Sequence, residues 1–202
     1  MARAGRRGDA GGATGPVRVI VGGAAIELPP DAFLQATPEA EAALTDAVRT
    51  AVGPASRIAD LFAGIGTFTF ALAGAARVHA VEGWAPAVDA IVQAARRSGI
   101  AGRVTAETRD LQRRPLEPDE LAPYDAVVFD PPRIGAKAQA ASLARTRIPR
   151  LAAVSCNPAS FARDARILIA GGYRLTAIQP IDQFIWSPHV ELVATFVHAD
   201  GG

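Results

Sequence analysis

From Arg57 onward the chain repeats one pattern: a short apolar run, a turn, then a segment of helix length. The runs Ile58 to Phe62, Val78 to Val81, Val104 to Glu107, Ala126 to Phe129 and Leu151 to Val154 read as strands without clean alternation of apolar and polar residues. A strand that is apolar on both sides must be covered on both sides. With helices between successive strands, that condition is met by a parallel sheet held between two helical layers. The pattern changes at the end, where Tyr173 to Ile178 and Val190 to Val197 are joined by a loop, which predicts a terminal antiparallel pair. Upstream, Val17 to Val21 and Ala25 to Leu28 flank Gly22-Gly23 as a hairpin. Thr37-Pro38-Glu39 supplies a cap, a first-turn proline and an early acid for a helix running to about Val52, ahead of Gly53-Pro54. The expectation is an α/β, Rossmann-like three-layer sandwich with a mostly parallel seven-stranded sheet. It occupies one domain over residues 17–200, behind a Gly-rich tail, residues 1–16, expected to be disordered.

The chain has 202 residues, 50% of them hydrophobic and 20% charged, which suits one ordinary globular domain. At this size roughly 70% of the unfolded surface is buried, so neither a disulfide nor a structural metal is required. A single cysteine excludes an internal disulfide and any all-cysteine zinc or iron-sulfur site built from this chain alone, and it suits a reducing cytoplasm. The formal charge of +1 is too small to predict tight, sequence-independent binding to nucleic acid, which depends on many phosphate contacts. The basic side chains are nearly all arginine, with Lys137 the one lysine, and arginine can pair with phosphate and stack on bases. The longest uncharged stretch, Leu61 to Ala76, is too short and too rich in Gly and Thr to span a bilayer, and Met1 to Arg7 lacks the apolar segment of a signal peptide. A cytoplasmic monomer with no membrane role is expected.

Asp60-Leu61-Phe62-Ala63-Gly64-Ile65-Gly66-Thr67 ends the first core strand and opens a helix, so glycines and free backbone N–H groups admit a ligand against bare main chain. A dinucleotide fingerprint needs a third small residue three places after Gly66, where Thr69 stands, which disfavours NAD. Glu82 ends the next strand, where a carboxylate can accept both hydroxyls of a ribose lying across the sheet's switch point. Asp110 follows the third strand, within reach of an adenine amino group, and no Gly-x-x-x-x-Gly-Lys cradle for a triphosphate is present. Together these describe an adenosine site. The region resembles the nucleoside-binding half of class I S-adenosylmethionine methyltransferases, which implies that Phe62, Gly64, Gly66, Thr67, Glu82 and Asp110 serve the cofactor. Phe62 reads equally well as a core aromatic.

Asp130-Pro131-Pro132-Arg133 closes the fourth strand, and its two prolines stop the ladder and fix the exit path, setting Asp130 at the sheet's carboxyl edge. Amino-directed DNA methyltransferases resemble this segment but carry an aromatic where Arg133 stands, which argues against methylation of an exocyclic amine. Ser155-Cys156-Asn157-Pro158 follows the next strand. A lone cysteine is most often an inert buried hydrophobe, but Cys156 ends a parallel strand on the edge that holds Asp130 and the Gly turn, and a helix starting near Pro158 is expected to favour its thiolate. Glu191 begins the final strand, where a carboxylate is either solvated or, beside a thiol, a proton acceptor.

These segments resemble the RNA uridine-C5 methyltransferases, which form 5-methyluridine in transfer and ribosomal RNA. The matching text is Phe33-Leu34-Gln35, Asp60 to Gly66, Val81-Glu82-Gly83, Asp130 to Arg133, Ser155 to Asp164, Asp182-Gln183-Phe184 and His189-Val190-Glu191, within residues 17–197. The resemblance implies a class I methyltransferase that uses S-adenosyl-L-methionine and no metal, with Cys156 as nucleophile and Glu191 as base. It sets Gln35 and Asp130 between cofactor and uracil. Cytosine-C5 enzymes use two cysteines, so one favours uridine. Ala63 stands where the family commonly has cysteine and Thr67 where it has asparagine. Family members usually carry an N-terminal RNA-binding barrel, and the text before Phe33 looks like the end of such a region. The chain is therefore expected to be a catalytic domain whose further RNA contacts come from elsewhere, including a separate partner. Arg96, Arg97, Arg113, Arg114, Arg145, Arg147 and Arg150 read either as phosphate contacts or as solvated helix faces, and His189 as structural. Two alternatives stand beside the uridine reading: a non-catalytic remnant that binds RNA or cofactor, and an amino-directed methyltransferase acting through Asp130-Pro-Pro.

Overall fold

A computed structural model describes residues 15–35, 37–182 and 190–199. Nearly all of the expected tail, and Gln183, Phe184 and His189 of the quoted motifs, lie outside the described residues. The chain opens with β1 (Arg18–Val21) and β2 (Ala24–Glu27), an antiparallel hairpin. Its turn residues Gly22 and Gly23 both have positive φ, 55° and 89°, as a tight two-residue connection between right-twisted strands requires. Helix α1 (Pro38–Val52) starts as expected: the Thr37 hydroxyl accepts from Ala40 N at 3.1 Å, Pro38 fills the first turn, and Glu39 and Glu41 face the helix's positive end.

The core alternates strictly up to β7: β3 (Arg57–Leu61), α2 (Thr67–Ala73), β4 (Arg77–Glu82), α3 (Ala85–Arg97), β5 (Val104–Thr108), α4 (Pro118–Leu121), β6 (Ala126–Phe129), α5 (Lys137–Leu143) and β7 (Arg150–Ser155). Helix α6 (Pro158–Ala170) leads to the long strands β8 (Tyr173–Ile181) and β9 (Glu191–His198). The seven-stranded sheet has the order β5-β4-β3-β6-β7-β9-β8, parallel except for β9 and β8. The absence of alternation in the central strands has its reason here, because successive residues enter two different cores. Ile58, Ala126, Val128, Ala152 and Val154 pack under α1, α2 and α3, while Ala59, Val127, Phe129, Leu151 and Ala153 pack with side chains of α4, α5 and α6.

Most strand ends shift by a residue or so from the sequence expectation, and three departures have a clear physical reason. The first core strand stops at Leu61, because Phe62 turns into the left-handed region (φ 59°). Strand β8 runs three residues past Ile178 and includes Pro180, which is tolerated because β8 is a sheet edge. The connection between β5 and β6 holds only the single turn α4, since Pro115, Pro118 and Pro123 break any longer helix. The sheet reverses its strand order between β3 and β6. The carboxyl ends of these two strands therefore splay apart, and the crevice between them is where such a sheet can receive a ligand.

Candidate active site

At that crevice lies a cavity of about 460 Å³, in the usual range for a small-molecule site. One side is the glycine turn. Phe62 leaves β3 with positive φ, Gly64 (φ 55°) follows, and Gly66 (φ 96°) caps α2. A Cβ added at Gly64 would meet nothing within 4 Å, so the bare main chain faces open space. Gly66 differs: its Cβ would lie 2.9 Å from the Phe70 ring and 3.1 Å from Ile91, so it faces the core, and the need for glycine there is conformation and packing. Of the two expected cofactor glycines, only Gly64 lines the cavity.

Glu82, at the end of β4, stands across from the turn. One carboxylate oxygen accepts from Gly64 N at 3.0 Å and the other from Trp84 N at 2.9 Å, which fixes the carboxylate at the crevice. Phe62, Thr67, Gln35 and Asp130 line the same cavity. Asp110 does not. It lines an adjoining cavity of about 330 Å³ that shares Phe62, Glu82, Asp130 and Pro132 with the first, and its Oδ1 accepts from Gln112 N at 3.0 Å. A ligand long enough to occupy both cavities would pass Phe62 and Glu82.

The opposite wall brings together residues from three elements: Asp130 after β6, Cys156 after β7 and Glu191 at the start of β9. Glu191 is 7% exposed. Burial raises the Asp130 carboxyl to about 8, with the neighbouring Glu191 and Asp60 adding to the effect. Asp60 is fully buried on the α2 side of the sheet, where the Thr69 hydroxyl donates to its Oδ2 at 2.6 Å and Oδ1 has no partner among the described residues. Burial pushes it to about 7 against the Thr69 hydrogen bonds, with Glu82 adding to the rise.

The thiol departs from expectation. Helix α6 does begin at Pro158, with the Asn157 side chain accepting from Ala159 N at 3.0 Å, so a helix terminus sits beside Cys156 as foreseen. Burial nevertheless raises the thiol above its ordinary value, and the Asp130 and Glu191 carboxyls add to this; Arg133 opposes them. Burial, with the two carboxyls adding to it, favours the neutral thiol.

Sequence reasoning did not assign Asp31, Phe33, Trp84 or Arg133 to the site, yet all four line the cavity. Phe33 and Arg133 stood inside quoted motifs. Trp84, two residues after the strand-ending carboxylate, was a readable signal, whereas the left-handed backbone of Asp31 (φ 66°) carries none in the sequence.

Comparison with known proteins identifies the family. A family profile described as tRNA (Uracil-5-)-methyltransferase matches residues 25–197. An uncharacterized RNA methyltransferase of Rhizobium meliloti (strain 1021) is 57% identical over 86% of this chain and 42% of its own length. The 23S rRNA (uracil(1939)-C(5))-methyltransferase of Chromohalobacter salexigens is 38% identical over 80% of this chain and 34% of its own. The solved tRNA (uracil-54, C5)-methyltransferase of Pyrococcus abyssi, in complex with S-adenosyl-L-homocysteine, superposes with a TM-score of 0.77 at 26% identity, covering 90% of this chain and 44% of that one. The chain thus spans less than half the length of these relatives. Matched from the second hairpin strand to the last residues of the sheet, this chain belongs to the tRNA (uracil-5-)-methyltransferase family.

Proposed function

We propose that the chain carries the catalytic site for methylation of uridine C5 in RNA, with S-adenosyl-L-methionine as donor and a transient bond between Cys156 and uracil C6. The observation that carries this reading is the convergence of Cys156, Glu191 and Asp130 on the cavity whose far wall is the glycine turn and Glu82.

The residues present fit the donor. Gly64 leaves the main chain open, Glu82 is set to accept ribose hydroxyls, and the adjoining cavity beside Asp110 gives room for a nucleobase. When bound, the donor supplies an electrophilic methyl group. Uracil C5 is a weak nucleophile, and the residues of the chain make it a stronger one. The Cys156 sulfur gives up its proton to solvent and bonds to C6; the C5–C6 π electrons move into an enolate through O4, which makes C5 nucleophilic enough to accept the methyl group that the donor would supply. Arg133, on the cavity wall, is placed to favour the thiolate. Once C5 carries both methyl and hydrogen, Glu191 takes the hydrogen as a proton; the C5–H electrons re-form the double bond and the sulfur leaves with its electron pair. Asp130, held largely protonated at neutral pH, can donate a hydrogen bond where a carboxylate could not. The cavity is too small for a base still stacked in a duplex, so the target uridine is read as unpaired or extruded from transfer or ribosomal RNA. Family relatives continue well beyond the span matched here, so further RNA contacts come from other chain or from a partner.

The test is RNA containing 5-fluorouridine, which has no abstractable proton at C5. Incubation with donor should trap a covalent protein–RNA complex that survives denaturation and maps to Cys156. Cys156→Ala should lose both trapping and turnover, while Glu191→Gln should accumulate a methylated adduct on ordinary RNA because elimination stalls. Methyl transfer that survives Cys156→Ala would instead favour amino methylation.

A further inference from the structure

The loop that follows Asp130, residues 131–136, has irregular backbone, yet several of its polar groups are satisfied by side chains of α6 and of its cap, Asn157. The Arg133 carbonyl accepts from Asn157 Nδ2 at 2.9 Å and from Ser160 Oγ at 3.0 Å. The Ile134 carbonyl accepts from Arg163 Nη2 at 3.0 Å, and Ala136 N donates to Asp164 Oδ2 at 2.7 Å. The other Asp164 oxygen holds the Arg163 guanidinium at 2.8 Å, so one carboxylate, buried among these groups, ties both the loop and the arginine that grips it. From the opposite side Gln112 Nε2 donates to the Gly135 carbonyl at 2.7 Å, linking the loop to the segment that begins at Asp110. Gly135 itself has φ 83°, and a Cβ there would fall 2.6 Å from Asp164 Oδ2 and 2.9 Å from Ser160 Cβ.

Cys156 lies immediately before the same helix. Nucleophile and loop are therefore indexed to one rigid element. Arg133, one of the loop's exposed side chains, is the one cation among the described residues lining the cavity. We propose that Asp164 is a positioning residue for Cys156: by clamping residues 131–136 to α6 it holds the Arg133 guanidinium opposite the thiol.

The groups that face the thiol explain why such a clamp matters. Asp130 from the end of β6 and Glu191 from the start of β9 oppose ionisation, with Asp60 on β3 acting on Asp130 in turn; Arg133 alone among these favours it. A guanidinium free to swing into solvent would leave the carboxyls unopposed. The inference rests on the proposed function only for the use made of Cys156, and its readout does not require methyl transfer.

Because Cys156 is the only cysteine in the sequence, the pH dependence of its alkylation by iodoacetamide reports this thiol without ambiguity. Arg133→Gln should move the midpoint of the alkylation rate upward by about one pH unit. Asp164→Asn should move it upward too, with Arg133 intact, and the double variant should lie no higher than Arg133→Gln alone. An Asp164→Asn protein that melts earlier but keeps the wild-type midpoint, or a double variant whose shifts add, overturns the proposal. Should Asp164→Asn fail to fold, Ser160→Ala and Gln112→Ala remove single loop bonds and leave the buried carboxylate in place. An upward shift in both is expected, and an unmoved midpoint in both overturns the proposal equally. If the shifts occur in a chain that never traps 5-fluorouridine RNA, the clamp stands and the uridine reading falls.

Discussion

Asp130 and Asp60 are carboxyls that the fold would rather keep protonated, and this has a thermodynamic sign. Each binds its proton more tightly in the folded chain than in the unfolded one, so stability is fully present below the ordinary carboxylate range and is lost as pH rises toward about 8 for Asp130 and about 7 for Asp60. A full proton of difference corresponds to about 1.4 kcal/mol per pH unit, large beside the net stability of a domain. Asp130→Asn removes one of the two ionisations. Thermal melts should show the variant close to wild type at pH 5 and clearly more stable at pH 9. A difference that does not change between the two pH values would mean that Asp130 ionises like a solvated carboxylate. The same substitution is expected to lower turnover, so stability and activity part company at this residue.

At the scale of elements, the glycine in the loop after Asp130 is the most demanding position. Gly135→Ala puts an L-residue into the left-handed region, costing about 1–2 kcal/mol before any contact is considered, and its methyl also meets Asp164 and Ser160. Denaturant unfolding should show a loss of at least that size, with the loop's bonds to α6 the first to break. Much of the architecture could be read beforehand because its signals are local. The runs that became β3 to β7, the Gly-Gly hairpin and the Thr37 cap each depend on a few neighbouring residues. The site was legible in its types and less so in its state. Cys156, Glu191 and Asp130 share a cavity, as the resemblance implied, but the resting thiol could not be foreseen from a helix start beside it. Its two opposing carboxyls arrive from other strands, and only the sheet order brings them near. Asp31 was missed for the same reason, since lining a cavity is a property of the fold, whereas Trp84 stood beside a readable signal, the carboxylate that ends β4. Gly66 was misjudged in the other direction: glycine at a strand-to-helix turn signals a backbone need, and here that need is packing against Phe70 and Ile91.

Across the whole molecule, several of the arginines that could meet RNA are already engaged within the chain. Of those singled out in the sequence, Arg97 pairs with Glu27, Arg113 with Asp110 and Arg145 with Glu117, while the Arg150 side chain turns to the Ala51 carbonyl and packs beside Gly53. Arg109 is tied to Glu107 and Glu120, and Arg163 is spent on Asp164. Arg96, Arg114 and Arg133 have no ion pair among the described residues, nor do Arg57, Arg77, Arg103, Arg166 and Arg174, but of all these only Arg133 lines the cavity. If about three phosphates are neutralised, the slope of log affinity against log salt for single-stranded RNA should be roughly −2, against far steeper values for dedicated nucleic-acid binders. Titration of a labelled uridine-containing oligonucleotide at several salt concentrations measures that slope. A shallow slope with weak affinity is expected for the 202-residue chain, because its geometry is built to act on one base and not to hold a long backbone. A slope steeper than about −4 would bring in arginines away from the cavity, such as Arg57, Arg77 and Arg103, which line one cleft, and would remove the need for RNA contacts supplied from outside the domain.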